Sequence, residues 1–229
     1  SGGVLAGNTV ADYGGASSFG ARAFAQETAA GDGMGWVFRG GTMRFVGATA
    51  QSTNRQIRVQ TTGATIDASG TVAAATLTFS HSGANINWFD TPGQRTLFLT
   101  GTNTGANVFA QLITDQGANP TNLTKRGAGT WFVTNPASTY TGITAFEGGI
   151  MNGAVIADSG VVSSFGARAA GQETAAGDGI GFVFRGGTMQ YTGATPMTTN
   201  RQIRVQTTGG TIDASGSVGT ATLSLTYHA

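Results

Sequence analysis

The chain has 229 residues, of which 38 are glycine, only 10% are charged and none is cysteine. Those values exclude disulfides, thiolate catalysis and cysteine-based metal centres, and a net charge of +1, with its 12 basic residues scattered, offers no footprint for nucleic acid or an anionic membrane. A hydrophobic fraction of 39% still suffices for a packed core, and no apolar run is long enough for a membrane-spanning helix.

Glycine and threonine interrupt helices, whereas short β-branched and aromatic runs between Gly-rich turns favour strands. In chain order the predicted strands are Met34–Phe38, Met43–Phe45, Gln56–Gln60, Thr65–Asp67, Thr76–Phe79, Thr96–Leu99 and Thr130–Val133. Corners are predicted at Gly40-Gly41-Thr42, Gly63-Ala64-Thr65, Gly148-Gly149-Ile150 and Gly209-Gly210-Thr211, where glycine reaches positive φ before the chain re-enters a strand. The spacings Thr42 to Thr65, Ile66 to Ile86, Leu112 to Trp131 and Trp131 to Ile150 predict an all-β parallel β-helix, a β-solenoid with about 20 residues per coil. A sandwich of hairpins needs two-residue turns, and Asp32-Gly33 and Asn152-Gly153 are too few to supply them.

Ser17–Phe79 returns without a gap as Ser163–Leu225, 146 residues later, at roughly three-quarters identity. The repeat predicts a first module over residues 1–146 and a partial second module over 147–229, joined as one solenoid without a linker. It also predicts that the chain is a window on a longer array. About seven coils per module at about 4.8 Å each give a height of about 34 Å, and about 50 Å for the whole chain. Differences between the copies assign the faces. Met34, Trp36 and Phe45 become Ile180, Phe182 and Tyr191 and are expected inside; Arg44, Ser52 and Thr78 become Gln190, Thr198 and Ser224 and are expected outside.

The segment Leu123-Thr124-Lys125-Arg126-Gly127-Ala128-Gly129-Thr130-Trp131, followed by Ser138-Thr139-Tyr140-Thr141-Gly142-Ile143-Thr144 and Gly148-Gly149, resembles the autotransporter-associated β-strand repeat. Departures are Ser138, where that family commonly has Asn, and Phe146, where Val is usual. The resemblance implies an exported bacterial protein at the cell surface, with a right-handed β-helix forming a stalk, an extracellular fibre or an adhesin. It implies no reaction.

Candidate site residues are few. Glu27 and Asp32, repeated as Glu173 and Asp178, form an acid pair that a turn with surface ion pairing explains better than glycan chemistry or calcium binding. Arg58, between Ile57 and Val59, is expected to alternate outward and, with Arg55, Arg201 and Arg204, to offer an anion-binding stripe or to pair with Asp67 or Asp213. Trp36 and Trp131 are expected inside; Trp88 is the tryptophan to watch as a sugar-stacking surface. His81 and His228 occupy no metal-ligand spacing, and Asn122-Leu123-Thr124 is a weak glycosylation match.

No catalytic, cofactor or metal set is predicted, and an enzyme is not expected; a polysaccharide lyase or glycosidase ranks last. The leading expectation is a structural segment whose partners are further repeats or copies of itself stacked end to end. The alternative is an adhesive surface for glycans or neighbouring fibres. Neither nucleic acid nor membrane insertion is expected.

Overall fold

The computed structural model describes residues 2–26, 34–83, 86–88, 91–173 and 179–226, and it is all-β apart from two single-turn 3-10 segments, Phe24–Gln26 and Ala170–Gln172. The first part of the chain supplies β1 (Val4–Gly7), β2 (Trp36–Phe38), β3 (Thr42–Phe45), β4 (Gln51–Thr53), β5 (Ile57–Val59), β6 (Ala64–Ala68) and β7 (Leu77–Phe79). The middle supplies β8 (Arg95–Thr100), β9 (Asn107–Phe109), β10 (Thr121–Lys125), β11 (Thr130–Val133), β12 (Thr144–Phe146) and β13 (Ile150–Gly153). The last part supplies β14 (Phe182–Phe184), β15 (Thr188–Tyr191), β16 (Met197–Thr199), β17 (Ile203–Val205), β18 (Thr211–Asp213) and β19 (Leu223–Leu225).

Each strand pairs in parallel with strands from earlier and later passes of the chain. Among the described residues, an eight-stranded sheet runs β1-β3-β6-β8-β10-β12-β14-β17 and a seven-stranded sheet runs β4-β7-β9-β11-β13-β15-β18. A third row starts with the parallel pair β2 and β5 and continues through Asn87, which bridges Arg58, then Leu112, which accepts from Ile86 N–H at 2.9 Å. Parallel neighbours require a long crossover, and the chain provides it by visiting the other rows before returning. These features are those of a β-helix.

Inside and outside follow the copy comparison. Met34, Trp36, Phe45, Ile180, Phe182 and Tyr191 are all buried, while Arg44, Ser52, Thr198 and Ser224 are exposed and Thr78 and Gln190 half-buried. In the eight-stranded sheet the inward positions form one column in register, Leu5, Met43, Ile66, Leu99, Lys125, Phe146, Phe184 and Val205. The six between its ends are at most 3% exposed. Phe146 and Phe184 stack there with ring centroids 4.8 Å apart, a geometry that in-register repetition makes automatic.

The corners form where expected: Gly40, Gly63, Gly149 and Gly209 have φ of 79°, 83°, 59° and 76°. Asn152-Gly153 lies inside β13 rather than in a hairpin, which removes one of the two turns a sandwich would have used; Asp32-Gly33 is outside the described residues.

The spacing differs from a uniform 20. Thr42 pairs Thr65 as predicted and Trp131 pairs Met151, one residue beyond the expected Ile150. Ile66, however, pairs Leu99 rather than Ile86, and Trp131 pairs Asn107 rather than Leu112. The longest steps, Val4 to Thr42, Thr144 to Phe182 and Ile150 to Thr188, contain the long segments between β1 and β2 and between β13 and β14. A parallel stack fixes the strands and leaves the connections free, so insertions change the residue count per pass without changing the rise. Seven steps along the eight-stranded sheet at about 4.8 Å give about 34 Å for the whole chain, where uniform short coils gave about 50 Å.

The duplicated sequence also changes sheets. β14 and β17, the counterparts of β2 and β5, lie in the eight-stranded sheet; β15 and β18, the counterparts of β3 and β6, lie in the seven-stranded sheet; β16 and β19, the counterparts of β4 and β7, pair with each other. β13, the counterpart of β1, has likewise moved to the seven-stranded sheet. One module therefore carries each strand on to the next row.

The corners generate a paired prediction. An added Cβ at Gly63 meets Thr96 O at 2.9 Å, whereas at Gly209 it meets nothing within 4 Å, so the second site isolates the cost of positive φ. Urea titration is expected to show Gly209→Ala losing about 1 kcal/mol and Gly63→Ala losing at least about 2 kcal/mol. Equal or negligible losses would contradict the corner geometry.

Candidate functional site

Among the most deeply buried polar side chains of the described residues are several cations, and Arg55, Arg201 and Lys125 donate to backbone carbonyls. Arg55 is 1% exposed, and its Nη2 donates to Gly20 O at 2.8 Å and Gly15 O at 3.1 Å, with Nη1 reaching Phe19 O at 3.4 Å. Its counterpart Arg201 is 3% exposed and repeats the arrangement, Nη1 donating to Phe165 O at 2.5 Å and Nη2 to Val161 O at 3.2 Å and to Gly166 O. Each guanidinium thus ties the Ser-Ser-Phe-Gly-Ala-Arg segment of its own module to the coil that follows β4 or β16. Burial lowers the Arg201 pKa below the ordinary arginine value, against the opposing pull of Tyr140, Glu173 and Asp158.

Lys125 occupies an inward position of the hydrophobic column, between Leu99 and Phe146. Its Nζ turns out of the column to donate to Arg126 O at 2.5 Å, Gly127 O at 2.8 Å and Gly148 O at 3.0 Å. In the Lys-x-Gly-x-Gly pattern Gly127 marks one corner, the corner of Gly148 and Gly149 stacks against it, and the lysine donates to a glycine carbonyl of each. Burial pulls its ammonium down to about 8.

Tyr140 and Thr141 complete the same region. Tyr140 is fully buried, its hydroxyl 2.8 Å from Thr144 Oγ1, and burial pushes its phenol far above the usual range. Thr141 donates from N and Oγ1 to Asp115 at 2.9 and 2.6 Å, and Thr121 N–H donates to the other Asp115 oxygen at 2.8 Å. Asp115 thus joins two successive passes.

On the outer faces, ladders of polar side chains follow the register. Arg44 Nε meets Asp67 at 2.7 Å; in the second copy Gln190 Nε2 donates to Asp213 at the same 2.7 Å, and Asn152 donates to Gln190 at 3.1 Å. The aspartate partner predicted for Arg58 is therefore Arg44's. Arg126 bridges Glu147 at 2.5 Å, Glu147 also meets Arg185 at 2.5 Å, and the Arg126 guanidinium lies 4.0 Å from the Phe98 ring centroid.

The candidate residues do not gather into one site. Glu27 and Asp32 lie outside the described residues, as do Asp178 and His228. Glu173 accepts from Gln202 N–H at 3.0 Å. Arg58 is fully buried rather than outward, because the chain segment at Asn87 stacks over β5, and its Nη2 donates to Asn87 Oδ1 at 3.3 Å. Arg55 and Arg201 are buried as well, so no four-arginine surface stripe exists. Trp88 is half-buried, packed against the core, with the Arg95 guanidinium 5.7 Å from its ring centroid. His81 Nδ1 is 2.9 Å from Asn54 O. The sequon residue Asn122 is half-buried and accepts from Ile143 N–H at 3.0 Å. Among the described residues there is no His, Cys, Asp or Glu cluster able to hold a metal, and no helix long and apolar enough to cross a membrane.

Sequence reasoning missed the buried cations. The available signal was that Arg55 is kept as Arg201 within an unchanged Thr-Asn-Arg-Gln-Ile-Arg-Val-Gln-Thr-Thr-Gly block, while exposed Arg44 becomes Gln190.

Over 137 residues, 60% of its length, the chain is 35% identical to a protein of Brucella suis biovar 1 (strain 1330) named Adhesin BmaC autotransporter. The chain spans 4% of that relative. No family model matches the chain, and no solved structure matches it. An autotransporter adhesin is thus what the sequence is similar to.

Lys125 gives a prediction whose sign is fixed by its environment. Lys125→Met keeps the column apolar but leaves three carbonyls without their donor, and is expected to cost about 1–3 kcal/mol near neutral pH. With the folded pKa at about 8 and the free value at 10.5, the unfolded chain binds more protons between those limits. Stability of the parent is therefore expected to rise with pH through that window relative to Lys125→Met, measured by denaturant titration across it. A relative fall would show that the carbonyl cradle holds the ammonium against desolvation.

Proposed function

We propose that this chain is a structural segment of an exported bacterial surface protein, a right-handed closed β-helix that lengthens a stalk or fibre by stacking modules of 146 residues. The observation that carries the reading is the parallel, in-register column of inward residues, continuous across the boundary between the modules 1–146 and 147–229. A stack of this kind grows by repetition, since each added strand satisfies the backbone edge of the one before. The similarity to an autotransporter adhesin supports export and a cell-surface location.

Adhesion is the second reading, favoured by one feature. Thr61, Gln94, Thr96, Phe98 and Asn122 line a 210 Å³ polar groove on the outer face, beside the Arg126–Phe98 contact. An aromatic edge among hydroxyls and amides suits a sugar, and repetition along a rod would multiply weak contacts. Glu27, Asp32 and Trp88 are not needed for it.

Electron microscopy of native material bearing this sequence tests the first reading. From β1 to β13 the chain takes five steps along the eight-stranded sheet and then one passage to the next sheet. With three rows to a turn, one module rises about 26 Å, and three modules bring a strand back to its starting row after about 77 Å. Long thin rods with those two axial periods are expected. Short particles without them would contradict extension by stacking.

A further inference from the structure

We infer that the outer face of the seven-stranded sheet is a lateral contact surface, and that its partner is the same face of a second copy of this chain, packed sheet against sheet. The partner lies beside the stack and not in line with it, so the inference goes beyond the structural reading above and does not depend on how modules join.

The charges are distributed unequally among the rows. Strands β4, β7, β9, β11, β13 and β15 each sit in a run of at least ten residues free of Asp, Glu, Lys and Arg, the shortest runs being 45–54 and 148–157. The eight-stranded side instead carries the ion pairs of Arg44 with Asp67 and of Glu147 with Arg126 and Arg185. Among the described residues, Asp213 is the one charged side chain in a strand of the seven-stranded sheet. Its carboxylate accepts from Ser215 N–H at 3.0 Å and from Gln190 Nε2 at 2.7 Å. Outward charge on a strand discourages lateral association, and β4 to β15 of this sheet carry none.

The repeat gives independent support. Residues 2–83 hold nine charged side chains, and eight of them recur 146 residues later. The ninth is Arg44, which becomes Gln190. Its strand lies in the eight-stranded sheet as β3 and in the seven-stranded sheet as β15. The charge is dropped where the strand joins the uncharged face.

The side chains on the face decide the partner. The outward column runs Ser52, Thr78, Val108, Phe132, Asn152 and Gln190 in register. Val108 and Phe132, at its centre, are half-buried and adjacent. Farther along, the amides are engaged with their own neighbours: Asn152 Nδ2 donates to Gln190 Oε1 at 3.1 Å, and Thr192 Oγ1 donates to Asn152 Oδ1 at 2.7 Å. Hydrogen bonds made within the face are not offered to the hydroxyls of a sugar, and a charged partner would lose water without meeting a counter-charge. A flat, uncharged sheet fits, and another copy supplies one. Facing sheets pack about 10 Å apart, and a two-fold axis between Val108 and Phe132 makes the face complementary to itself. Six steps of about 4.8 Å, three outward residues wide, give roughly 500 Å² per chain, below the roughly 800 Å² per partner of a standard interface. Pairing of single chains is therefore weak.

Sedimentation velocity of the chain from about 10 μM to about 1 mM tests this. The parent is expected to associate reversibly and Phe132→Lys to weaken that association at least about tenfold, whereas Thr96→Lys, a charge on the eight-stranded sheet, leaves it unchanged. Residue 132 lies beside the two-fold centre, so an equimolar mixture of Phe132→Lys and Phe132→Glu is expected to recover association. Recovery distinguishes a lost contact from a lost fold. A parent that is monomeric at about 1 mM overturns the inference, and so does a mixture that fails to recover. Association that Phe132→Lys leaves intact belongs to the ends of the stack and overturns it as well. A monomeric parent that binds a neutral polysaccharide, with binding lost in Phe132→Lys, overturns it in favour of a sugar. Each of these failures leaves extension by stacking in place.

Discussion

Parallel, in-register stacking is the constraint on which the rest of this molecule depends. Once two strands from successive passes share a register, their inward side chains must tolerate neighbours of their own kind about 4.8 Å above and below. That requirement selects the aliphatic and aromatic column from Met43 to Phe184, the tilted Phe79–Phe109 pair 5.9 Å apart, and the amide and carboxylate ladders outside. It also makes the corners severe. A passing chain must turn without side chains that strike the coil beneath, and at Gly63, Gly127 and Gly149 a positive-φ glycine does this where an added Cβ would meet another pass at 2.9, 2.7 and 2.3 Å.

The buried cations follow from the same geometry. Tight stacked corners turn several carbonyls toward the end of one long side chain, those of Gly127 and Gly148 toward Lys125 and those of Gly15 and Gly20 toward Arg55. A long side chain ending in several donors serves these acceptors from a distance, and a guanidinium or ammonium is such an ending. Lys125 spans from the core column to two glycine corners, and Arg55 and Arg201 each hold the Ser-Ser-Phe-Gly segment of their own module onto the stack. The positive charge is an incidental burden of this role, visible in the lowered pKa values of Lys125 and Arg201.

Much of this was legible in the sequence because stacking imposes period-two alternation and marks its corners with glycine. The swap of Trp36 for Phe182 and Phe45 for Tyr191 identified the interior without any structure, and Gly63 and Gly209 announced their turns. Three features were not legible, each for a physical reason. The offset between stacked residues is uneven, since crossover length is nearly free once the strands are fixed, and so Ile66 meets Leu99 and not Ile86. Arg58 alternates away from its aliphatic neighbours, yet the stretch at Asn87 lies over it; alternation reports a strand's two faces and not what another pass places on them. The move of each module to the next row leaves no trace in a repeat that is gapless along the chain, because identity fixes what a strand is and not where around the axis it falls.

The sheet change bears on function, since any surface feature of one module reappears in the next on a different side of the stack. A stack extended as proposed would display its loops around its circumference, a useful property for a spacer and for an adhesive surface alike. All of it depends on the pairing being parallel. Spin labels placed in pairs at 42 with 65 and at 44 with 67, in a chain free of native cysteine, test that pairing most directly. A constant offset of 23 residues predicts strong and equal dipolar broadening for both pairs. Broadening at one pair only is what antiparallel pairing would give, and that result, or none at either, would contradict the stack.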